Sequence, residues 1–251
     1  MRFSNLERDN MSSKLLNLDN VELTYPSSNF KLGPISLNLK GGECIGLMGE
    51  NGAGKSTLFQ IVTGNLKPNS GTVNLAGERM SLESFQLKRK IGYMPQNLEL
   101  PKWVSAKEVL TYAIKLYGLE GGAELCQSTM DYWDCSYYQD KAIAACSHGM
   151  KKRVALGLAT IHQPDLLILD EPFAGLDLFH IKALQDLIMK RKQEEKMTIL
   201  CTHIAPYSAK LCDQLLTLES GNLSSMVDWN DLDYLTRVER IESIFFDKGS
   251  N

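Results

Sequence analysis

The sequence has no long apolar run, no closely paired cysteines and no excess of basic residues. No apolar stretch approaches the roughly 18 residues that a helix needs to cross a bilayer. The opening segment, "MRFSNLERDNMSSK", has no apolar core of the kind found in secretory signals. We therefore expect no secretory signal, and a function at a membrane would require another chain that spans it.

Charge and cysteine usage exclude two further classes of function. The formal net charge is −3 at pH 7, whereas nonspecific nucleic-acid binding needs clustered Lys and Arg that neutralise phosphates. We therefore expect no nucleic-acid partner. The six cysteines form no CxxC pair, and several lie in apolar runs such as "GECIGLMG" and "TILCTH". This pattern is typical of reduced, buried thiols in a cytosolic protein and argues against a disulfide framework or a zinc site.

The sequence instead contains an alternation of predicted strands and helices. After a polar leader, "LLNLDNVELTY" and "PISLNLK" alternate apolar with polar residues, which predicts two half-buried antiparallel strands. The runs "CIGLM", "DLLILDEP" and "MTILCTH" are apolar almost throughout, and each is paired with a helical pattern. Strands buried on both faces and alternating with helices indicate a parallel sheet.

Two regions outside that alternation are predicted to be helical. Residues 98–148 are interpreted as a helical insert, in which "SAKEVLTYAIKLYG" has a capping box of Ser105 and Glu108 and a glycine stop at Gly118. A last helix is predicted from about Asp231, and packing on its own domain is favoured over docking to a partner. Its predicted apolar side comprises Leu232, Leu235, Val238, Ile241 and Ile244.

A glycine-rich segment has the pattern of a phosphate-binding loop. "GENGAGKST" fits G-x-x-x-x-G-K-[ST] from Gly49 to Ser56, between a predicted strand and a predicted helix. The glycines, including Gly52 and Gly54, allow backbone amides to curl round phosphate oxygens, and the start of the helix adds its positive end. We expect Lys55 to reach the β- and γ-phosphates and the Ser56 hydroxyl to ligate Mg²⁺.

A pair of carboxylates supports the same chemistry. "LLILDEP" ends a predicted buried strand with Asp170 and Glu171. Alone, such a pair more often marks a solvated strand end, but together with a phosphate loop it predicts a hydrolytic site. Asp170 would hold Mg²⁺ through water, and Glu171 would orient and deprotonate the attacking water.

Over roughly residues 14–222 the chain resembles the ATP-binding cassette ATPases, which power ABC transporters. The resemblance rests on landmarks in a fixed order. Tyr25 is similar to the aromatic residue that stacks on adenine, and residues 49–57 are similar to the Walker A loop. The resemblance therefore implies that the whole loop contacts the nucleotide: Gly49, Asn51, Gly52, Ala53, Gly54, Lys55, Ser56 and Thr57.

The later landmarks lie downstream of the phosphate loop. Gln96 resembles the Q-loop glutamine, which senses Mg²⁺ and the γ-phosphate, and His203 resembles the switch histidine that contacts the γ-phosphate. Ser147 and Gly149 stand where the signature sequence belongs, before the Walker B residues. "AGLD", which ends at Asp177, is similar to the D-loop. The resemblance implies ATP and Mg²⁺ as cofactors, with Lys55, Gln96, Glu171 and His203 in catalytic roles.

The family resemblance implies an α/β fold of the P-loop NTPase (RecA-like) type. A parallel core would carry an N-terminal antiparallel β subdomain and an inserted helical subdomain at about 98–160. The implied domains are a flexible leader over 1–13, an ATPase domain over 14–222 and a tail over 223–251. In this family two cassettes face head to tail, and the signature helix of one caps the γ-phosphate bound by the other. The second cassette would be a copy of this chain or a relative.

The signature departs from the usual L-S-G-G-Q. It has Cys146 at its first position, and His148 and Met150 replace a glycine and the glutamine. Signatures of the S-x-G-M type also resemble those of bacterial export cassettes. Direct phosphate contact by His148 and an uninvolved, partly exposed side chain are both open alternatives. Because Glu171 and the other landmarks are present, we predict active hydrolysis.

Three functions are weighed. The leading one is an ATPase subunit of an ABC transporter, expected to export and to lie on the cytoplasmic face of the membrane with integral-membrane subunits. Trp103 is a candidate contact for those subunits or, equally, a core residue. The second is a soluble cassette ATPase of translation or repair, against which the chain length and the fifty residues between Gln96 and Ser147 both argue. The third, a P-loop kinase or a nucleotide-binding regulator, would account for Gly49 to Ser56 but not for the later landmarks Ser147, Asp177 and His203 in this order.

Overall fold

The computed structural model describes residues 15–26, 30–229 and 232–246. The predicted leader, residues 1–13, and the predicted helix start at Asp231 lie outside the described residues. The described part forms two sheets with helices packed around them.

The first sheet is antiparallel and has four strands. They are β1 (Leu15–Thr24), β2 (Lys31–Lys40), β4 (Ser70–Leu75) and β5 (Glu78–Arg79), in the order β2-β1-β4-β5. The alternation seen in the sequence sets its faces, because Leu16 and Leu18 of β1 are buried on one side. The prediction of two half-buried antiparallel strands is confirmed.

The second sheet has six strands and is mostly parallel. They are β3 (Cys44–Met48), β6 (Ile91–Met94), β7 (Leu166–Asp170), β8 (Met197–Cys201), β9 (Gln214–Glu219) and β10 (Asn222–Asp228). Their order is β10-β9-β3-β8-β7-β6, and β10 alone runs antiparallel to its neighbour. Every residue of β3, β7 and β8 is buried, as their apolar sequences predict. The carboxyl ends of these three strands meet at one edge of the sheet.

The helices are α1 (Lys55–Val62), α2 (Phe85–Lys88), α3 (Ala106–Tyr117), α4 (Gly122–Tyr132), α5 (His148–Thr160), α6 (Leu178–Gln193), α7 (Ala205–Leu211) and α8 (Tyr234–Phe246). The predicted capping box is confirmed at α3. Ser105 N donates to Glu108 Oε2 at 2.7 Å, and Glu108 N donates to Ser105 Oγ at 3.2 Å. Gly118 ends this helix at φ 61°. Helices α3, α4 and α5 pack round the buried Trp133.

The last helix packs on its own domain, as favoured from the sequence. Ile241 is fully buried in a cluster with Trp229, Met48 and Ala209, with Val238 at its edge. Leu235 departs from the predicted apolar side, since it is 69% exposed. The burying side of α8 is therefore narrower than its sequence pattern indicates.

The cysteines match the expectation from composition. All six cysteines are buried and unpaired. Within the ranges described, no helix has both the length and the apolar character required to span a bilayer.

Candidate functional site

The glycine loop connects the end of β3 to the start of α1. Gly49, Gly52 and Gly54 all have positive φ, at 156°, 85° and 109°, a region that L side chains avoid. At Gly54 a Cβ would lie 2.8 Å from atoms of Phe30 and Leu32, whereas at Gly52 it would meet nothing within 4 Å. The loop is thus packed on one side and open on the other. Its open backbone leads into a helix start that carries no acidic residue in the first turn.

A cavity of about 400 Å³ lies beside this loop. Lys55 is at its side, and its Nζ donates to the carbonyl oxygens of Gly49 and Glu50 at 2.6 and 2.9 Å. The cavity joins residues from several separate chain segments. Its lining comprises Tyr25, Phe30, Asn51, Gly52, Gly54, Lys55, Ser56, Thr57, Gln96 and Asp170.

Two aromatic rings form one wall of the cavity. The ring centroids of Tyr25 and Phe30 are 6.5 Å apart and tilted by 36°, and the Tyr25 hydroxyl lies 3.3 Å from Thr57 Oγ1. The sequence analysis missed Phe30. Its only signal is an isolated aromatic in the polar turn "PSSNFKLG", which does not reveal where that turn folds.

Asp170 and Gln96 add oxygen-bearing side chains to the lining of the cavity. Asp170 ends β7 and is 3% exposed. The Gln96 backbone N–H, just after β6, donates to its carboxylate. Burial raises the pKa of the Asp170 carboxyl above its usual value, although the Lys55 ammonium acts in the opposite direction. Ser56, Gln96 and Asp170 therefore present a hydroxyl, an amide and a carboxyl group to one cavity.

Glu171 has an unusual backbone conformation and a well-held side chain. Its φ is 49°, in the left-handed region that is costly for a non-glycine residue. One carboxylate oxygen accepts from His203 N at 3.1 Å, and the other accepts from the Thr202 hydroxyl at 3.4 Å. His203 Nε2 lies 3.3 Å from Glu171 Oε1. Burial raises the pKa of the Glu171 carboxyl, and the nearby His203 opposes this effect.

The signature residues lie outside the cavity. Ser147 is exposed and caps α5, because its Oγ accepts from Met150 N at 3.2 Å. Gly149 approaches the chain near the D-loop, where a Cβ would be 2.9 Å from Gly175 O. The exposed His148 ring lies close to the same residue, since a Cβ at Gly175 would be 3.2 Å from His148 Cδ2. Within this chain the signature therefore meets the "AGLD" segment and not the glycine loop.

Asp177 is linked to the signature helix through two residues that the sequence analysis missed. Its Oδ1 caps α6 by accepting from His180 N at 3.0 Å and lies 2.7 Å from His180 Nδ1. His180 Nε2 lies 3.2 Å from Arg153 Nη1 on α5. Arg153 also forms an ion pair with Asp134 at 2.9 Å. No local sequence signal marks this network, since its members come from three separate segments.

Comparison with known proteins identifies the family. A family model described as ABC transporter matches residues 32–174. The chain belongs to the ABC transporter family. It is an ATP-binding cassette of that family, and the alternative of a P-loop kinase is wrong.

Curated relatives of this cassette are ABC transporter ATP-binding proteins. The linearmycin resistance ATP-binding protein LnrL of Bacillus subtilis is 32% identical over 221 residues, which cover 87% of this chain and 70% of LnrL. The uncharacterised ABC transporter ATP-binding protein YxlF of the same species is 36% identical over 195 residues, covering 76% of this chain and 63% of YxlF. The Nod factor export ATP-binding protein I of Burkholderia orbicola is 30% identical over 213 residues, covering 84% of this chain and 70% of its own length.

Solved structures agree in fold. The structure of an ATP-binding subunit of an ABC transporter superposes with a TM-score of 0.82 at 26% identity, covering 92% of this chain and 99% of its own. A dimeric cassette, MJ0796, captured after hydrolysis with ADP and Pi has a TM-score of 0.77 at 22% identity, covering 86% of this chain and all of its own. The predicted family and fold class are confirmed, and the chain is an ATPase cassette of the ABC transporter family.

Proposed function

We propose that this cassette binds Mg-ATP in the cavity beside Lys55 and hydrolyses it, paired head to tail with a second cassette. The pair would drive export through separate membrane subunits. The observation that carries the proposal is that the glycine loop, two aromatic rings and the side chains of Gln96 and Asp170 line one cavity. The names of LnrL and the Nod factor export protein favour export as the direction.

In this proposal the nucleotide is held from its base to its γ-phosphate. Tyr25 stacks on adenine, with Phe30 beside it. The loop from Gly49 to Thr57, with Asn51 and Ala53, surrounds the phosphates, and the Lys55 ammonium neutralises their charge. The open side of Gly52 supports this role, because the backbone there has room for a close approach by phosphate oxygens.

The donor set beside the loop suits Mg²⁺. Ser56, Gln96 and Asp170 offer hard oxygen ligands, and all three line the same cavity. A cation beside Asp170 would favour the ionised form of its partly desolvated carboxyl group. When bound, the ion would neutralise charge that develops on the phosphates during hydrolysis.

Glu171 is the proposed general base. Its carboxylate is held by His203 N and the Thr202 hydroxyl, so its side chain is oriented before a water molecule is deprotonated. His203 is proposed to contact the γ-phosphate, and its position beside Glu171 supports this role. A pKa raised by burial makes the carboxylate a stronger base when it is ionised.

The second cassette is proposed because the signature residues do not line the chain's own cavity. Ser147 accepts a hydrogen bond through Oγ, which leaves its O–H free to donate to a phosphate oxygen of another chain. Gly149 and Asp177 would join it at that partner's site. The dimeric state of the related MJ0796 cassette is in keeping with such a pair.

Trp103 supports a membrane partner. Its side chain is 89% exposed, so the alternative that it is a core residue is wrong. It follows Gln96 in the segment that leads into the helical region. Large apolar side chains this exposed commonly mark interaction sites, and we propose contact with a membrane subunit at the cytoplasmic face of the membrane.

The dimer mechanism is tested with Glu171→Gln. We expect this substitution to lower the ATPase kcat by about 100-fold or more, because it removes the base while leaving nucleotide binding intact. With saturating Mg-ATP the variant should form a stable dimer in size-exclusion chromatography with light scattering. Glu194→Gln, at an exposed carboxylate after α6, serves as the control. A Glu171→Gln protein that binds ATP and stays monomeric contradicts the mechanism.

The membrane partner is tested by co-purification. Tagged Glu171→Gln protein is extracted from native membranes in mild detergent with Mg-ATP, and its stoichiometric partners are identified. A multi-helix membrane protein supports the transporter assignment. Recovery only from the soluble fraction would favour a cassette ATPase that works without a membrane subunit.

A further inference from the structure

Lys152 is a buried lysine on the signature helix α5. Its side chain is 2% exposed, and lysine is rarely buried unless its charge and its N–H groups have partners. Burial lowers the pKa of the Lys152 ammonium, while Glu171 and Asp170 act in the opposite direction. The neighbouring Lys151 is only half-buried.

The Lys152 ammonium bonds to the chain on both sides of a short segment. Nζ donates to the carbonyl oxygen of Glu171 at 2.7 Å and to that of Ala174 at 2.6 Å. Glu171 directly follows β7, and Ala174 is the first residue of the "AGLD" segment. An apolar side chain of similar length would fill the space, but the buried hydrogen bond to the Glu171 carbonyl and the partly buried one to the Ala174 carbonyl would both be lost.

The bond to Glu171 falls at a residue with an unfavourable backbone conformation. Glu171 has a φ of 49°, a conformation that persists only when its surroundings hold it. Glu171 N also donates to Cys201 O at 2.8 Å. The peptide groups on both sides of the Glu171 Cα are therefore bonded, which fixes the direction of its carboxyl group toward His203 N.

The signature lies at the start of the same helix. Lys152 is five residues from Ser147, about one and a half helical turns, and α5 continues without a break between the two. Through Lys152, the first turns of α5 therefore connect Ser147 to the backbone of Glu171.

We propose that Lys152 is a positioning residue for ATP hydrolysis, which holds the Glu171 backbone in its left-handed conformation and attaches the general base to the signature helix. The proposal rests on the proposed function, in which Glu171 is the base. It assigns Lys152 no contact with ATP. Its removal should therefore change the rate of hydrolysis and leave nucleotide binding intact.

The test compares substitutions at two adjacent lysines. Lys152→Met keeps the length of the side chain and removes the donor, whereas Lys152→Gln keeps an amide donor. Lys151→Met makes the same change at the half-buried neighbour. We expect Lys152→Met to lower kcat by about tenfold or more with the KM for ATP within about twofold. Lys152→Gln should recover part of the loss, and Lys151→Met should match the unmodified protein.

A second readout separates positioning from folding. Lys152→Met combined with Glu171→Gln should still dimerise with Mg-ATP, since binding and assembly do not require an oriented base. An unchanged kcat in Lys152→Met overturns the proposal. So does a loss in which KM rises along with the fall in kcat, or in which the Gln variant is as impaired as the Met variant. If Lys152→Met does not fold, Lys152→Gln alone decides: a lowered kcat at unchanged KM supports the proposal, and an unchanged kcat opposes it.

The proposed function is judged separately in the same assays. Absence of ATPase activity in the unmodified protein, or full activity in Glu171→Gln, would overturn the function and this inference together. Activity that depends on Glu171 and is indifferent to Lys152 would overturn the inference alone.

Discussion

At the residue scale, the buried Arg191 is held by hydrogen bonds to several acceptors. Arg191 is 3% exposed and donates to the carbonyls of Pro164, Asp165 and Met197 and to the Thr198 hydroxyl. Burial lowers the pKa of its guanidinium to about 10. A charge held this deep is tolerated because its N–H groups are bonded.

Arg191→Met should therefore destabilise the fold. The substitution leaves several buried acceptors without a donor, and we expect the free energy of unfolding to fall by about 3 kcal/mol. Urea denaturation measures the loss. The control is Lys190→Met, at an exposed residue paired with Glu194, which should cost less than about 0.5 kcal/mol. Equal losses at both positions would contradict the role assigned to Arg191.

A substitution at His148 tests whether this residue, which replaces a glycine of the usual signature, slows ATP hydrolysis. The ring is exposed and lies near Gly175, and the helix cap is provided by Ser147. We expect His148→Gly to change the ATPase kcat by less than about threefold, which is under 1 kcal/mol in the barrier. A steady-state assay at saturating Mg-ATP decides this. A large rise in rate would show that the natural signature is impaired.

At the scale of elements, the helices differ in how much of their structure their own sequence predicts. Helix α3 has a capping box, an apolar face and a glycine stop within its own sequence, so its bounds are predictable. Helix α8 is amphipathic, yet only the structure shows that Ile241 is buried and Leu235 is exposed. The neighbouring elements, and not the periodicity alone, decide which side is covered.

This difference within α8 gives a matched pair of substitutions. Ile241→Ala should lower the free energy of unfolding by about 2–4 kcal/mol, because a buried branched side chain leaves a cavity beside Trp229. Leu235→Ala, on the same helix, should cost less than about 0.5 kcal/mol. Urea denaturation of both variants is the measurement. Comparable losses would mean that α8 does not pack as described.

At the scale of the whole molecule, the candidate site is divided between two surfaces. The cavity holds Lys55, Gln96 and Asp170, while Ser147 lies outside it on an exposed helix start. In the proposed dimer, the signature of each chain completes the cavity of its partner. A dimer of two different variants can then hold one site in which both surfaces are intact.

Complementation between two inactive variants tests this arrangement. Lys55→Ala removes the lysine that is proposed to neutralise the phosphates. Ser147→Asp keeps a good helix cap but places a carboxylate where the phosphate bound by the partner would lie. Mixed one to one, the two proteins should recover about a quarter of the unmodified ATPase activity, since half the dimers would hold one intact site. Ser147→Asn, which also caps but carries no charge, is the control. No recovery on mixing would contradict shared sites.

The sequence predicted most of the site because each landmark is local. The glycine loop is recognisable because positive φ favours glycine at particular positions. The acidic pair is recognisable because it directly follows a short apolar run. The predicted lining residues Tyr25, Lys55, Gln96 and Asp170 do meet in one cavity. Their individual roles in ATP hydrolysis stay predictions until the variants above are assayed. The domain boundaries likewise stay predictions.

By itself the sequence determined the elements: the buried strands, the glycine loop, the capped helix and the order of the landmarks. These depend on side chains and backbone preferences within a few residues of one another. Only the tertiary structure decided that Phe30 enters the cavity, that Lys152 reaches the Glu171 carbonyl and that Trp103 is exposed. Such contacts depend on strand order and helix packing between distant segments, and no local pattern encodes them.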